Sequence, residues 1–524
     1  MNKMRLRFAP SPTGPLHMGG VRTALYNYLL AKKNGGDFIL RIEDTDQGRW
    51  VEGAEEHIYA SLEWCGIIPD EGPRNGGTCA PYRQSERKEK YREHAMRLIN
   101  EGNAYYAFDT PEELETMRKR LEQEKSSSRQ YDANTRMQMR NSLTLPNAEV
   151  NSLINAGTPY VIRIQLPGEG RLYMKDLIRG DVEVDVATLD DKVLFKSDGM
   201  PTYHLANVVD DYLMGITHVI RGEEWLPSAP LHYFLYKYLG WEDKRPAFAH
   251  LPLILKPDGK GKLSKRDCDK LGVPVFAVGW KDPQTGEFSA GYKEQGYLPS
   301  AFVNMLAMLG WNPGTEQEIF QLPELIQSFS LDRVGKSGAR FDMDKVKWFQ
   351  EQHFRSQSIQ ILATEVRQTS EEWAAISEDK LHAVIELMRE RVASVDQLIN
   401  ESRFFLLAPD AYDEETVRKK WKPETEQILK GFASVLQNLP DFSPQPLEEA
   451  FKAFMEEGGY PFGTGMIGLR LTVTGKGGGP SLFHTMALLG REEVVERINR
   501  GTEFIKATLT LPLPDRPNYN RTNE

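Results

Sequence analysis

Apolar positions along this 524-residue chain change period several times, and each change marks an element. Met4 to Ala9 alternates apolar and polar residues, the period of a half-buried strand. From Val21 the apolar positions fall at Val21, Ala24, Leu25, Tyr28 and Leu29, which is one face of a helix. Asn34-Gly35-Gly36 ends that helix, and Phe38 to Ile42 predicts a second strand. The result is a βαβ unit whose second strand runs into an acidic loop, Glu43 to Asp46. Open parallel sheets bind ligands at that end of their strands.

The pattern shifts over 105–200. A helical stretch, EELETMRKRLEQEK, and a polar run, KSSSRQYDANTRMQMRNS, precede four strand-like segments: YVIRIQL, RLYMKDLI, GDVEVDV and KVLFKSDG. Together they predict an α+β insertion. The α/β pattern returns with PTYHLANVVDDYLMGITHVIRGEEW and closes near Lys265. From residue 300 onward the apolar spacing is mostly helical, and PLPDRPNYNRTNE reads as a frayed polar tail. No internal repeat is found.

Composition narrows the picture. With 27% charged and 40% hydrophobic residues the chain reads as a folded, soluble protein, for which the length predicts about three or four domains. Cys65, Cys79 and Cys268 stand far apart, with no CxxC pair and no histidine at ligand spacing. They predict neither a disulfide framework nor a zinc site, and point to a reducing compartment. No run approaches the roughly 20 apolar residues of a membrane span. Only MNKMRLR precedes the first motif, so no leader peptide is expected. The net charge of −10 argues against nucleic-acid binding over the whole surface. Local basic stretches at 256–267 and 333–347 leave room for a nucleic acid held at defined patches.

The chemistry-bearing residues cluster in two places. In FAPSPTGPLHMGG, Gly19 and Gly20 fall in the first helical turn, where backbone N–H groups lack partners and the dipole favours anions. Without a Cβ they let a base or phosphate approach closely. His17, just ahead, can donate to a phosphate oxygen. Far downstream, Lys262-Leu263-Ser264-Lys265-Arg266 follows a Gly/Lys-rich stretch suited to a phosphate-clamping loop, and its lysines can neutralise charge growing on an attacked phosphate. Two lookalikes are set aside. Gly463, Gly465 and Gly468 spell GxGxxG but run into LRLTV, which predicts a strand where a dinucleotide site needs a helix. Gly335-Lys336-Ser337 has Ser330 where a P-loop needs its first glycine.

A Pro-x-Pro-x-Gly turn leading into HxGG at a strand–helix junction, with a distant KLSKR, resembles the class I aminoacyl-tRNA synthetases. FAPSPTGPLHMGG, LRIEDTD, PTYHLANVVDDYLMGITHVIRGEEWL, KLSKR and FSLDRVGKSGARFDMDKVKWF resemble the bacterial-type glutamyl branch of that family over nearly the whole chain. The resemblance implies an α/β fold: a Rossmann-like parallel-sheet catalytic domain in two halves, 1–104 and 201–270. Between them stands the acceptor-stem-binding α+β insertion, 105–200. A stem-contact region, 271–345, and a mostly α-helical anticodon-binding region, 346–524, follow.

The implied activity is ATP-dependent ligation. L-glutamate is activated as glutamyl-adenylate and passed to the 3′-terminal adenosine of tRNA-Glu, with activation expected to need the tRNA. The implied glutamate pocket is Arg7, Ala9, Ser11, Glu43, Tyr203, Asn207 and Arg221. Guanidinium forks at Arg7 and Arg221 suit a carboxylate, and Glu43 suits the ammonium group. The implied ATP site is His17, Gly19 and Gly20 with Lys262, Leu263, Ser264, Lys265 and Arg266, of which His17, Lys262 and Lys265 assist the chemistry. No protein nucleophile is required, and Mg2+ accompanies ATP, held mainly by phosphates and water. Asp44 and Asp46 read as loop-capping carboxylates. A cytoplasmic monomer with no membrane partner is expected.

The chain departs from the family pattern in three places. AYYAFDTPEELE lacks the cysteines that hold zinc in some relatives, so no structural zinc is expected. HMGG stands where HIGH is common. VFAVGWKDPQTGEFSAGYKEQG (275–296) is an added segment, expected to be a surface excursion. Competing assignments fit less well. A glutaminyl relative favours a β-barrel anticodon module, and short tRNA-modifying relatives have none. A nucleotidyltransferase needs no helical appendage, and a decayed tRNA-binding protein would not keep His17, Lys265, Glu43, Arg7 and Arg221. A chain charging both tRNA-Glu and tRNA-Gln would read the same.

Overall fold

The structure is a computed structural model that describes residues 3–125 and 129–509; the polar tail expected at 512–524 lies outside them. The chain divides into two compact units between Phe349 and Gln350. The first unit opens with β1 (Arg5–Phe8), α1 (Met18–Lys33), β2 (Asp37–Leu40), α2 (Ala54–Trp64) and α3 (Lys88–Asn100). The inserted segment supplies β3 (Ala104–Ala107), α4 (Pro111–Gln123), α5 (Asn147–Asn155), β4 (Val161–Ile164), β5 (Arg171–Asp176), β6 (Gly180–Asp185) and β7 (Val193–Phe195). The α/β pattern resumes with α6 (Tyr203–Leu213), β8 (His218–Gly222), α7 (Ala229–Tyr238), β9 (Ala247–Leu251) and α8 (Lys265–Leu271).

The main sheet has the order β2-β1-β8-β9-β5-β6, parallel except for its last pair. This is the expected α/β catalytic fold, with one revision. RLYMKDLI and GDVEVDV, grouped with the insertion from sequence, complete the main sheet: β5 meets β9 at Asp176 and Phe248, and β6 closes the edge. YVIRIQL and KVLFKSDG instead pair with β3 in a separate antiparallel sheet, β3-β4-β7. Segment order alone does not reveal which sheet a strand joins. β6, with Asp181, Glu183 and Asp185 at alternate positions, has the charged character that protects an edge.

Successive strand residues point to opposite faces, and this alternation sorts the two cores. Leu6, Phe38, Leu40, Ile220 and Ala249 pack on one face with Leu25 and Leu29 of α1 and with Phe302 and Leu306. Ile39, Val219 and Phe248 pack on the other with Leu205 and Val209 of α6 and Leu235 of α7. The same period carries Arg7, Arg221, His250 and Asp176 to the α6 side, at the carboxyl ends of their strands.

The segment 275–296 is not a surface excursion. Phe276, Ala277, Trp280 and Tyr292 are buried in the α1-side core, and the Met18 amide donates to Val275 O at 2.9 Å. Its exposed parts are the tip of a short antiparallel pairing, Trp280–Lys281 with Phe288–Ser289, and the stretch Lys293, Glu294 and Gln295. Alternation of VFAVGW with polar residues further along hid four apolar side chains that the core needs.

The second unit is helical throughout its regular elements among the described residues. Helices Thr425–Asn438, Pro444–Glu457, Phe462–Thr474, Leu482–Leu489 and Arg491–Leu509 enclose Leu429, Phe432, Phe451, Leu469, Met486 and Ile498. LRLTV, expected as a strand, is helical inside Phe462–Thr474. A Cβ at Gly465 would stand 2.7 Å from Met455 Cε, and one at Gly468 would stand 2.4 Å from Thr425 Cγ2. These glycines admit neighbouring side chains, and packing overrides the local strand preference of Leu-Thr-Val. The GxGxxG string therefore lies within a helix and forms no strand-to-helix turn.

Candidate active site

The helix α6 presents Tyr203, Asn207, Asp210 and Asp211 at i, i+4, i+7 and i+8, a polar stripe facing the sheet. Sheet alternation brings arginines against it. Arg7 Nε and Nη2 donate to the two oxygens of Asp211 at 3.0 and 3.2 Å. Arg41, fully buried just past β2, donates to Asp211 at 2.7 Å and to Glu43 at 2.9 Å. Arg87 donates to Asp210 at 2.7 Å. Burial works against the ionised form of Asp211, yet Arg7 and Arg41 outweigh it and hold this carboxyl below the usual range. Burial pushes Glu43 the other way, upward, opposed by Arg41 and Arg7.

Arg221 differs from these three arginines in its partners. Its Nε donates to His250 Nε2 at 3.0 Å and its Nη1 to the Tyr203 hydroxyl at 2.8 Å, neither of them a carboxylate. Its Nη2 is buried with no hydrogen-bond partner among the described residues. The Asn207 amide donates to Glu43 at 2.9 Å, leaving Asn207 Oδ1 likewise unpartnered. Unsatisfied buried polar atoms are costly, and here they belong to two residues that line a cavity of about 770 Å3.

Of the residues expected from sequence, Arg7, Ala9, Ser11, Glu43, Tyr203, Asn207 and Arg221 line this cavity, as do His17, Gly19, Gly20, Lys262, Leu263, Ser264 and Lys265. Arg266 does not; it is exposed on α8. Two widely separated segments meet across Phe276: the His17 ring lies edge-on to it at 5.3 Å, and Lys265 Nζ lies 5.7 Å from its centre. Burial, then the charges of Lys262 and Lys265, lower the His17 pKa, so this imidazole is neutral near pH 7. Lys262 pairs with Glu224 at 3.2 Å. Ser264 and Asp267 form a capping box that starts α8 at Lys265.

The two glycines divide the work. A Cβ at Gly20 would stand 2.6 Å from Leu16 Cδ1, so Gly20 serves packing. A Cβ at Gly19 would reach only Ile254 Cδ1, at 4.0 Å, so Gly19 leaves free space on the cavity side. Asp44 accepts from the Ser85 amide and hydroxyl at 2.8 and 2.5 Å as a loop cap, whereas exposed Asp46, expected to cap as well, pairs with the Arg49 side chain at 2.6 Å and makes no side-chain cap to its short helix.

Several participants went unnoticed in the sequence. His57 Nδ1 accepts from the Leu16 amide and its Nε2 donates to Val278 O, both at 3.0 Å, tying the opening turn to the 275–280 segment. Arg22 on α1 lines the cavity while donating to Leu309 O at 2.9 Å and to Pro252 O. Trp225 stacks at a tilt on Tyr203, 4.5 Å between rings. An isolated His in a helix or Trp after a strand carries no local signal of such partners.

The family profile described as tRNA synthetases class I (E and Q), catalytic domain, matches residues 3–348, and that of an anticodon binding domain matches residues 360–502. A glutamate–tRNA ligase of Christiangramia forsetii is 52% identical over 96% of this chain and 100% of its own length. The chain belongs to the glutamate–tRNA ligase family of class I synthetases. A family member from Porphyromonas gingivalis is also 52% identical, over 96% of this chain and 99% of its own. The crystal structure of a glutamate tRNA ligase from Elizabethkingia meningosepticum in complex with its amino acid superposes with a TM-score of 0.92 at 49% identity. It covers 96% of this chain and 100% of that one. No helix among the described residues is long and apolar enough to cross a membrane.

Proposed function

We propose that this cavity joins L-glutamate to ATP as glutamyl-adenylate and passes the glutamyl group to the 3′-terminal adenosine of tRNA-Glu. The carrying observation is convergence: His17 and Lys265 flank one Phe276 ring, and both line the cavity that Arg221, whose Nη2 is unpartnered, also lines. In this reading the glutamate side chain takes the Arg221 guanidinium, with Arg7 beside it, and the ammonium group takes Glu43. The adenine and ribose lie over Gly19, and the triphosphate extends between neutral His17 and the ammonium groups of Lys265 and Lys262.

The substrate carboxylate attacks the α-phosphorus; one P–O bond forms, the bond to pyrophosphate breaks, and no protein nucleophile intervenes. Positioning and fixed charge carry the acceleration. Magnesium bound to ATP would neutralise the leaving pyrophosphate. Among the described residues no group of three or more His, Cys, Asp or Glu side chains is placed to hold a metal.

A smaller cavity of about 340 Å3 shares Ser11, Thr13, Glu43, Arg49, Tyr203 and Trp225 with the first and is walled by Trp50 and Lys196. Its aromatic and cationic walls suit the terminal tRNA base, which is recognised by stacking. The helical unit would read the anticodon, and a monomer acting in the cytoplasm accords with this reading. The test is aminoacylation of purified tRNA with each amino acid, beside pyrophosphate exchange with and without tRNA. Glutamate alone should be charged, and exchange should need tRNA; charging of another amino acid, or none, overturns the proposal.

A further inference from the structure

We infer that Asp176 and His250 are positioning residues for Arg221: they hold one histidine tautomer, and through it the guanidinium, in the orientation that receives the glutamate side chain. The inference rests on the proposed function of the cavity, and it concerns residues that do not line the cavity.

The argument begins with proton direction. An arginine Nε–H only donates, so His250 Nε2, 3.0 Å from Arg221 Nε, must carry a lone pair. The ring proton then resides on Nδ1, which donates to Asp176 Oδ2 at 2.6 Å. Asp176 is itself held in place. Its Oδ1 accepts from the amides of Ile178 at 2.9 Å, Arg179 at 2.8 Å and His250 at 3.3 Å. Asp176, His250 and Arg221 are each at least nine-tenths buried. With Nε on His250 and Nη1 on Tyr203, Arg221 has two of its three nitrogens fixed; its Nη2 is buried without a partner, and the residue lines the cavity.

The arrangement has a directional consequence. A second proton on His250 would turn Nε2 into a donor facing a donor and place two cations side by side. The charged and titratable groups around this ring are Asp176 from β5, Arg179 from the β5–β6 turn, Arg221 from β8 and His232 from α7. Burial lowers the His250 pKa; Asp176 opposes that, and Arg221 and Arg179 add to it. The neutral ring is therefore the resident form at pH 7, and acid should disable the clamp while leaving glutamate's own side chain ionised.

Asp176→Asn tests this with little change of shape. The asparagine oxygen still accepts from the 178 and 179 amides, but its Nδ2 faces His250 Nδ1 and forces the opposite tautomer, with N–H pointing at Arg221. The full-length enzyme, assayed by tRNA charging at saturating tRNA, should show KM for glutamate raised about tenfold or more. KM for ATP should stay within about twofold. His250→Phe should match it, and His250→Gln, whose Oε1 can replace the Nε2 acceptor, should recover most of the glutamate affinity. Wild-type kcat/KM for glutamate should fall only in acid, at a pH below the ordinary imidazole range because the His250 pKa is lowered, and that fall should vanish in His250→Phe.

Unchanged glutamate KM in Asp176→Asn and His250→Phe overturns the inference. So do equal shifts for glutamate and ATP, or a His250→Gln enzyme no better than His250→Phe. Absence of glutamate charging in the wild-type protein would instead overturn the function itself.

Discussion

Replacing Arg221 by glutamine probes the cation on which glutamate recognition is proposed to depend. Arg7, Arg41 and Arg87 are matched by Asp211, Glu43 and Asp210, so their charge is largely spent within the protein. Arg221 has a phenol and a neutral imidazole as partners, and one bare nitrogen. Its desolvation is already borne in the free enzyme, so a substrate carboxylate gains the contact without a second such cost. One charged hydrogen bond is worth about 1.5–3 kcal/mol, and truncating one partner of a buried charge pair costs about 2–5 kcal/mol. Glutamine is shorter and uncharged and leaves Tyr203 and His250 without their donor. The expected loss is therefore about 2–4 kcal/mol, or roughly 30- to 1000-fold in kcat/KM for glutamate. Initial-rate charging with glutamate varied at saturating ATP and tRNA, and then with ATP varied, separates the two substrates. KM for ATP should move less than about threefold. A glutamate effect below threefold, or equal effects on both substrates, would refute the assignment.

Lys265→Ala removes an exposed ammonium from the start of α8 and should lower the rate of glutamate activation about 100- to 1000-fold while leaving the thermal midpoint unchanged, as read by pyrophosphate exchange and calorimetry. Gly20→Ala should destabilise the protein by about 1–3 kcal/mol in urea unfolding, because the new methyl meets Leu16 at 2.6 Å. Gly19→Ala should keep or slightly raise stability and instead raise KM for ATP, since its methyl enters the cavity rather than the core. Asp211→Asn leaves Arg7 and Arg41 sharing less charge and should cost about 3–5 kcal/mol. The Asp211 pKa is depressed in the folded protein, so its stabilisation is present above the unfolded value of about 3.9 and fades as pH falls toward the folded value. In Asp211→Asn that acid-dependent part of the unfolding curve should disappear.

The opening βαβ unit was legible because short-range signals agree there: alternation in β1, a 3.6-residue period in α1, and Asn34-Gly35-Gly36 as a stop. The cavity lining was legible through motif resemblance, which names residues without saying what holds them. Failures came where tertiary packing decides. LRLTV has strand-like side chains but lies in a helix because Gly465 and Gly468 admit Met455 and Thr425. The 275–296 segment looked like an added loop, yet its aromatic residues fill the core under α1. Sheet membership of RLYMKDLI depended on one pairing, Asp176 with Phe248, which no local pattern announces.

That last pairing changes how the inserted region relates to catalysis. Arg7 and Arg221 are distant in sequence but neighbours in space, because β1 and β8 pair at Leu6 and His218. β9 lies beyond β8 and brings His250 opposite Arg221 in the same register. β5 lies beyond β9, and its last residue, Asp176, reaches His250. Each step across the sheet is one hydrogen-bonded strand, and each contributes one polar side chain on the α6 face. Had β5 belonged to a detached inserted domain, its motions would leave the Arg221 end of the cavity untouched. As an integral strand it makes the orientation of Arg221 depend on the segment that leads into the insertion's own sheet. A ligand that shifts β5 along its strand direction would therefore be read at Arg221, in the proposed glutamate pocket, through Asp176 and His250.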